Sequence, residues 1–311
     1  MSFKTYVVIV TYNAMPWLDK CLSSIDRTLY KTVVVDNNSK DETTDVIKSK
    51  YPHVKLFEEE ENLGFGQGNN KGISYALNNG AEHVFLLNQD AYLKGDCLRK
   101  LVNLQVENPE YGILSPIHTN AESNKLDRNF AKYVGYDNNN FFYSDFVLGS
   151  ELKSVYEVPF INAAGWLLSK NCLMNVGGFD PMFFHYGEDE NYCQRVSFHK
   201  FKIGVVPNVF MVHDREYREK EVFKLFSEKY FYKQDIRMKA FYGNINEYEA
   251  DRILKYKETV KKQLMIAFLK GKITHARGFK KLLKVIDKVH IEIEKSHHIV
   301  KTKFPAYLDL S

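Results

Sequence analysis

Apolar and polar positions fall in alternating blocks through the first third of the chain. Residues 6–11 (YVVIVT) form a β-rich run, the pattern of a buried strand. Residues 16–28 follow with helical spacing, because Leu18, Cys21, Leu22 and Ile25 share one face. A second strand is predicted at 32–35, ending at Asp36. Turn and N-cap residues at 37–41 then lead into a helix reaching Lys50. The pattern continues with a strand at 54–57, a Gly-rich loop at 62–70, a helix at 71–79 and a strand at 84–87. Strands alternating with helices imply an α/β fold built on a parallel sheet with right-handed crossovers.

The alternation weakens beyond residue 118. Residues 118–150 are rich in Asn, Tyr and Phe, which predicts an irregular excursion, a hairpin or an acceptor-side loop. Strand pattern returns at 159–169, Gly177-Gly178 breaks the chain, and 188–199 reads as a helix. Residues 203–206 and 209–212 read as two short strands split by Pro207. From Arg215 the chain turns to Lys-rich helices. Phe279, Leu282, Leu283, Ile286, Val289 and Ile293 share a helical face, and Gly271 separates this helix from one at 247–269.

Charge sharpens that division. Residues 1–214 carry 20 Lys and Arg against 26 Asp and Glu, whereas 215–303 carry 23 against 12. A basic final third suggests an acidic partner such as anionic lipid, a phosphate-bearing acceptor or nucleic acid, or else simply solvated helix faces. With 311 residues, 44% hydrophobic and 26% charged, the chain can bury a full core. The four cysteines (Cys21, Cys97, Cys172, Cys193) form no CxxC pair, so neither a zinc site nor a disulfide framework is indicated. The opening segment lacks signal-peptide architecture and no apolar stretch reaches bilayer length, so a cytosolic protein is expected.

Five features carry candidate chemistry. The apolar run 84–87 ends abruptly at Asn88-Gln89-Asp90. Oxygen ligands at the C-terminal edge of an open α/β sheet suit a hard divalent cation and the phosphates that accompany it, although strand-end aspartates also occur without metal. Asp36, at the end of another strand, can contact a ribose or a base, or merely cap its turn. The segment NLGFGQGNN (62–70) has glycines spaced to bring backbone N–H groups to an anion. It fits neither GxGxxG nor a Walker motif, which disfavours a dinucleotide-dependent oxidoreductase. Glu188-Asp189-Glu190 is an acidic cluster at a helix start. Mutual repulsion would raise the proton affinity of at least one carboxylate and suit it to base catalysis, while helix N-termini attract acids in any case. His213, after an apolar run, is either a packing residue or a metal ligand beside Asp90.

In order and spacing these segments resemble the family 2 inverting glycosyltransferases of the GT-A fold, and more narrowly bacterial rhamnosyltransferase-type and galactofuranosyltransferase-type members. The resemblance spans about residues 5–215. It rests on VVIVTYN (7–13), VVVDNNSKD (33–41), NLGFGQGNNKG (62–72), LLNQDA (86–91), INAAGWLLS (161–169), GGFDPMFFHYGEDENYCQR (177–195) and VH (212–213). It implies a Rossmann-like, mixed and mainly parallel sheet flanked by helices. The catalytic domain would occupy 1–215, with a nucleotide-sugar half to about 117 and an acceptor half from 118 to 215, and a helical region 216–311 would follow it. Thr11, Tyr12 and Asn13 would line the nucleotide pocket, and Asp36 would contact the base or ribose. Asn62, Gly64 and Asn69 would shape the floor under the diphosphate. Trp166 would approach a sugar. Asp90 would bind Mg²⁺ or Mn²⁺ with His213. Asn88, where the family's DxD-type motif has its first acid, would be at most auxiliary. Asp189 would be the base, with Glu188 or Glu190 orienting acceptor hydroxyls.

The implied reaction moves a sugar from dTDP-rhamnose or a UDP-sugar to a hydroxyl of a cell-surface polysaccharide or lipid-linked glycan. The alternative is a catalytically weak nucleotide-sugar- or carbohydrate-binding protein on the same fold. The C-terminal helices would meet an anionic membrane at its inner face, form a homodimer, or cover the catalytic domain. Nucleic acid is not an expected partner.

Overall fold

The computed structural model describes residues 4–215 and 222–311. Its first half alternates as the pattern predicts: β1 (Thr5–Thr11), α1 (Leu18–Ser23), β2 (Lys31–Asp36), α2 (Thr43–Lys50), β3 (Lys55–Glu58), α3 (Gly64–Asn78) and β4 (His83–Leu87). β1, β2, β3 and β4 are mutually parallel, in the spatial order β3-β2-β1-β4. Val7, Val8, Val33, Val34, Val35, Val84 and Phe85 are inaccessible to solvent, as strands covered on both faces by helices must be.

The Gly-rich segment corrects the sequence reading, because it is helix rather than loop. Gly64, Gly68 and Gly72 recur every four residues and so share one face of α3. A Cβ on Gly72 would stand 2.3 Å from Val8 Cγ1, and one on Gly68 3.0 Å from Val10 Cγ1. The glycines let α3 lie directly on β1. Gly64, with φ of +81°, begins the helix where a Cβ would strike the Phe184 carbonyl oxygen.

Past β4 come β5 (Ala91–Leu93), α4 (Cys97–Glu107) and β6 (Tyr111–Thr119). The excursion that follows opens on one antiparallel bridge, Thr119 with Leu126, and is otherwise helical. It contains two short helices, α5 (Arg128–Tyr133) and α6 (Asn140–Leu148), each opened by a side-chain N-cap, Asp127 and Asn139. β7 (Tyr156–Glu157) and β8 (Gly165–Ser169) precede α7 (Lys170–Val176) and α8 (Glu188–Phe198). β8 begins only at Gly165, since residues 162–164 form a tight turn in which the Ala164 N–H donates to the Asn162 carbonyl. The two strands expected around Pro207 are one, β9 (Lys202–His213). Its pairing with β6 steps from Pro116–Val206 to Ile117–Phe210, so Pro207 sits in a bulge.

β8 runs antiparallel to both β4 and β6, β9 runs parallel to β6, and β5 runs antiparallel to β9. The sheet is therefore mixed. It follows that the C-terminal ends of β1, β2, β4, β6 and β9 and the N-terminal end of β8 all emerge at one edge.

A separate apolar cluster binds α9 (Glu228–Tyr242), α10 (Ala250–Leu269) and α11 (Ile273–Val300), with Phe231, Ile253, Val260, Leu282, Ile286, Val289 and Ile293 at its centre. The last residues return to the sheet domain. The Gly178 N–H donates to the Ala306 carbonyl, the Asp309 N–H to Ser74 Oγ, and Leu308 and Leu310 join the main core.

Candidate active site

The edge where those strand ends converge includes a topological switch between β1 and β4, the usual crevice for ligands in open α/β sheets. Gln89 closes it. Its side chain accepts from the Tyr12 N–H at 2.7 Å and donates to the Tyr12 carbonyl at 3.2 Å. The clamp leaves the Tyr12 ring half-exposed and fixes the segment after β1 against the segment after β4.

Several residues expected in the nucleotide pocket instead build its wall. Thr11 is fully buried and donates to Asp36 Oδ1 at 2.8 Å. Asp36 is also buried, and both its oxygens are used within the fold, accepting from Ser39 Oγ at 2.5 Å and the Ser39 N–H at 2.8 Å. Asn13 adopts φ of 51°. It donates its N–H to Ser39 Oγ and accepts from the Lys40 N–H. This network sets the shape of the 36–41 turn. Asn62, exposed, accepts from the Gly64 N–H at 2.8 Å just ahead of α3. Asn69 is buried and donates to the Phe65 carbonyl. Trp166, expected beside a sugar, lies wholly inside the core, stacked on Phe179 with ring centroids 6.1 Å apart.

Asp90 and His213 do meet. Asp90 precedes β5 and His213 ends β9, and the pairing of Ala91 with His213 brings Asp90 Oδ1 to 3.5 Å from His213 Nε2. The other ring nitrogen, Nδ1, faces Asp127 Oδ2 at 3.8 Å. Asp127 is held in turn by a two-pronged contact from Arg215, at 2.9 and 2.7 Å, and by the N–H groups of Asn129 and Phe130. His118 lies beneath, 6.0 Å from the His213 ring, and burial drives its pKa well below the ordinary value.

Two ligands about 2.1 Å from one ion lie about 3 to 4 Å apart for any angle from cis to wide, so the Asp90–His213 separation fits a shared cation. Among the described residues no group of three or more His, Cys, Asp and Glu converges.

The second half of the site lies across residues 162–165. The Asn88 N–H donates to the Ala164 carbonyl at 3.0 Å, and the Ala163 backbone lies near enough to Asp189 to favour its ionised form slightly. One short segment thus bonds Asn88 and lies beside Asp189. Burial is the main reason that Asp189 is pushed up to about 6 and Glu188 to about 8, and Asp189 adds to the second shift. Burial outweighs the mutual repulsion expected from the sequence. Tyr133 of α5 is pushed up to about 12 by its own burial and then by Asp189. Three buried oxygens near this segment, Asn88 Oδ1, Asn162 Oδ1 and Glu188 Oε2, have no protein hydrogen-bond partner. Buried polar atoms are normally satisfied, which makes these candidates for ligand contacts.

The loop before α8 is held from both sides. Asn70 exchanges two hydrogen bonds with the Phe179 backbone, at 2.7 and 2.6 Å. Lys239 Nζ donates to the Met182 carbonyl at 2.7 Å, and the Tyr232 hydroxyl to the His185 carbonyl at 2.9 Å. Sequence reasoning missed Asn70, Gln89, Asp127, Tyr232 and Lys239. The partners that give them these places, Phe179, Tyr12, Arg215, His185 and Met182, lie between 47 and 109 residues away, so no local pattern flags them.

Comparison with known proteins assigns the fold and the family. The glycosyl transferase family group 2 pattern matches residues 83–284, about two thirds of the chain, and the glycosyl transferase family 2 pattern matches residues 6–159. The chain is a family 2 glycosyltransferase. It is 26% identical over 219 residues to the dTDP-rhamnosyl transferase RfbF of Shigella flexneri, covering 68% of this chain and 70% of that one. Rhamnosyltransferase WbbL of Escherichia coli is 25% identical, with 67% and 82% covered. The crystal structure of S. aureus TarS 1–349 with UDP-GlcNAc superposes with a TM-score of 0.52 over 95% of this chain and 92% of that chain, at 14% identity, a likeness of GT-A fold alone. In this family 2 glycosyltransferase the fold therefore agrees with the expectation, including a mixed sheet and C-terminal helices. No helix among the described residues is long and apolar enough to cross a membrane.

Proposed function

We propose that this glycosyltransferase moves a sugar from a nucleoside diphosphate, dTDP-rhamnose or a UDP-sugar, to a hydroxyl of a cell-surface polysaccharide or lipid-linked glycan precursor, with inversion. The setting would be the cytoplasm, at the inner face of the plasma membrane. The observation that carries the reading is the meeting of Asp90 and His213 at the sheet edge, beside Asn88, whose N–H donates to Ala164 in the same short segment whose Ala163 backbone lies near Asp189. The relatedness to rhamnosyltransferases supports the donor class.

Asp90 and His213 would hold a divalent cation, Mg²⁺ or Mn²⁺, which when bound supplies Lewis-acid neutralisation of the departing diphosphate. Asp127 faces the Nδ1 of His213 at 3.8 Å and would orient the ring on closing to hydrogen-bond distance, as carboxylates behind ligating imidazoles do. Gln89 and the exposed Tyr12 ring form the nucleotide side of the crevice. At pH 7 Asp189, with its carboxyl near 6, is ionised and can take the proton of the attacking hydroxyl. Glu188, near 8, keeps its proton and can donate to an acceptor oxygen. Unlike environments give two adjacent carboxyls different tasks. One base suffices for a single displacement on a centre with oxocarbenium character.

The test is a panel of dTDP- and UDP-sugars with glycan acceptors, with Mg²⁺, Mn²⁺ or EDTA, read as nucleoside diphosphate released and as the anomeric configuration of the product. Inverted product from one donor is expected. Tight donor binding without release would favour the carbohydrate-binding alternative, and a retained configuration would remove Asp189 as the sole base.

A further inference from the structure

The α10–α11 hairpin ends in a feature that the bundle does not use. Helix α11 has 28 residues, about 42 Å of helix. Its C-terminal end is anchored on the catalytic domain, with the Val300 carbonyl 2.9 Å from His199 Nε2 and Ser296 donating to Asp180. Its other end carries the turn at Gly271, where φ is +65°. Around that turn Met265, Phe268, Leu269 and Ile273 are 58, 70, 76 and 54% exposed. Ile253, Val260 and Ala267 of α10 already fill the bundle core, so these four belong to a second apolar surface.

The charge around them has one sign. Residues 259–286 contain eight Lys and Arg and no Asp or Glu. Lys261 pairs with Glu258 and Lys281 with Glu228. The other six, Lys262, Lys270, Lys272, Arg277, Lys280 and Lys284, are exposed and make no ion pair among the described residues.

We propose that this hairpin tip docks on an anionic lipid bilayer, with the four apolar side chains entering the headgroup boundary and the unpaired cations on phosphate. Apolar contact and basic charge together are what an interfacial membrane element requires. A second copy of the chain fits less well. An isologous contact would set the same cationic surface against itself. Nucleic acid would use the charge but leave the apolar side chains in water. The inference does not rest on the sugar-transfer reading, and its test contains no sugar.

The experiment is co-sedimentation of the full chain with vesicles of phosphatidylcholine and of mixed phosphatidylcholine–phosphatidylglycerol, over a salt series. Lys270→Ala/Lys272→Ala and Phe268→Ser/Leu269→Ser are compared with the parent, and each is checked by thermal melting and size exclusion. Binding should require phosphatidylglycerol and weaken with salt. The lysine pair should lose about 30-fold in partitioning, and the apolar pair roughly 10-fold or more. Indifference of the parent to phosphatidylglycerol, or undiminished partitioning of both variants, overturns the proposal. A parent dimer that the apolar pair converts to monomer would assign the surface to a second copy. Duplex DNA bound equally well by parent and apolar pair, with no vesicle binding, would assign it to nucleic acid.

Discussion

Replacing Glu188 with Gln should stabilise the protein increasingly as pH rises from 4 to 7. Glu188 is 5% exposed, and its Oε2 has no partner. Burial first, and Asp189 second, raise its carboxyl from 4.5 to about 8. At neutral pH the folded chain therefore keeps a proton that the unfolded chain has released. The stability tied to that proton is fully present below about 4.5, is lost as pH rises, and levels off above about 8. Between the unfolded value and pH 7 the loss is about 2.5 units, or roughly 3 kcal/mol, a substantial part of the roughly 5–15 kcal/mol that holds a typical fold together. Gln does not titrate. The difference in unfolding free energy between Glu188→Gln and the parent should thus grow by about 3 kcal/mol from pH 4 to pH 7. Urea unfolding at each pH, followed through the fluorescence of buried Trp166, measures that difference, and comparing two pH values cancels any pH-independent effect of the amide itself. An equal difference at both values would mean that Glu188 is ionised in the fold, and the division of labour between Glu188 and Asp189 would be lost.

Three further outcomes follow from particular contacts. Asp189→Asn should lower turnover by roughly 10²–10⁴-fold, and in the parent kcat/KM should fall tenfold per unit below about pH 6; a pH profile flat through that range would place the base elsewhere. Asp127→Asn should weaken Mn²⁺ binding in the presence of UDP by roughly 10- to 100-fold, because His213 loses the carboxylate behind it; titration calorimetry reads this, and parental affinity would remove Asp127 from the site. Gly72→Ala should destabilise by roughly 1–3 kcal/mol despite the higher helix propensity of Ala, because its Cβ meets Val8 at 2.3 Å; an unchanged melting temperature would contradict the close seating of α3 on β1.

The order of elements as far as β4, the α/β class and the two acidic strand-end and helix-start positions were legible in the sequence, because each depends on neighbours a few residues away; β5, α4 and β6 were not anticipated. The strands 32–35 and 84–87 are continuous apolar runs, and burial on both faces leaves no other pattern. Glycine spacing was legible and misread: positions 64, 68 and 72 repeat with a helical period, and it is Val8 and Val10 across the interface that explain why a helix carries them. The excursion after 118 could not be read, since α5 and α6 form from caps and local turns with little amphipathic pattern. The site divides along the same line. That Asp90 and His213 would be adjacent depends on β5 lying antiparallel to β9, and that Asp189 would lie near the Ala163 backbone depends on a contact between residues far apart in the chain. Residue types name what chemistry a chain can do. Which carboxylates are dehydrated, which are spent on internal hydrogen bonds, and which face one another is decided by contacts between residues far apart in sequence, and burial, the largest cause of the shifts at Glu188 and Asp189, exists only once the chain has closed around them.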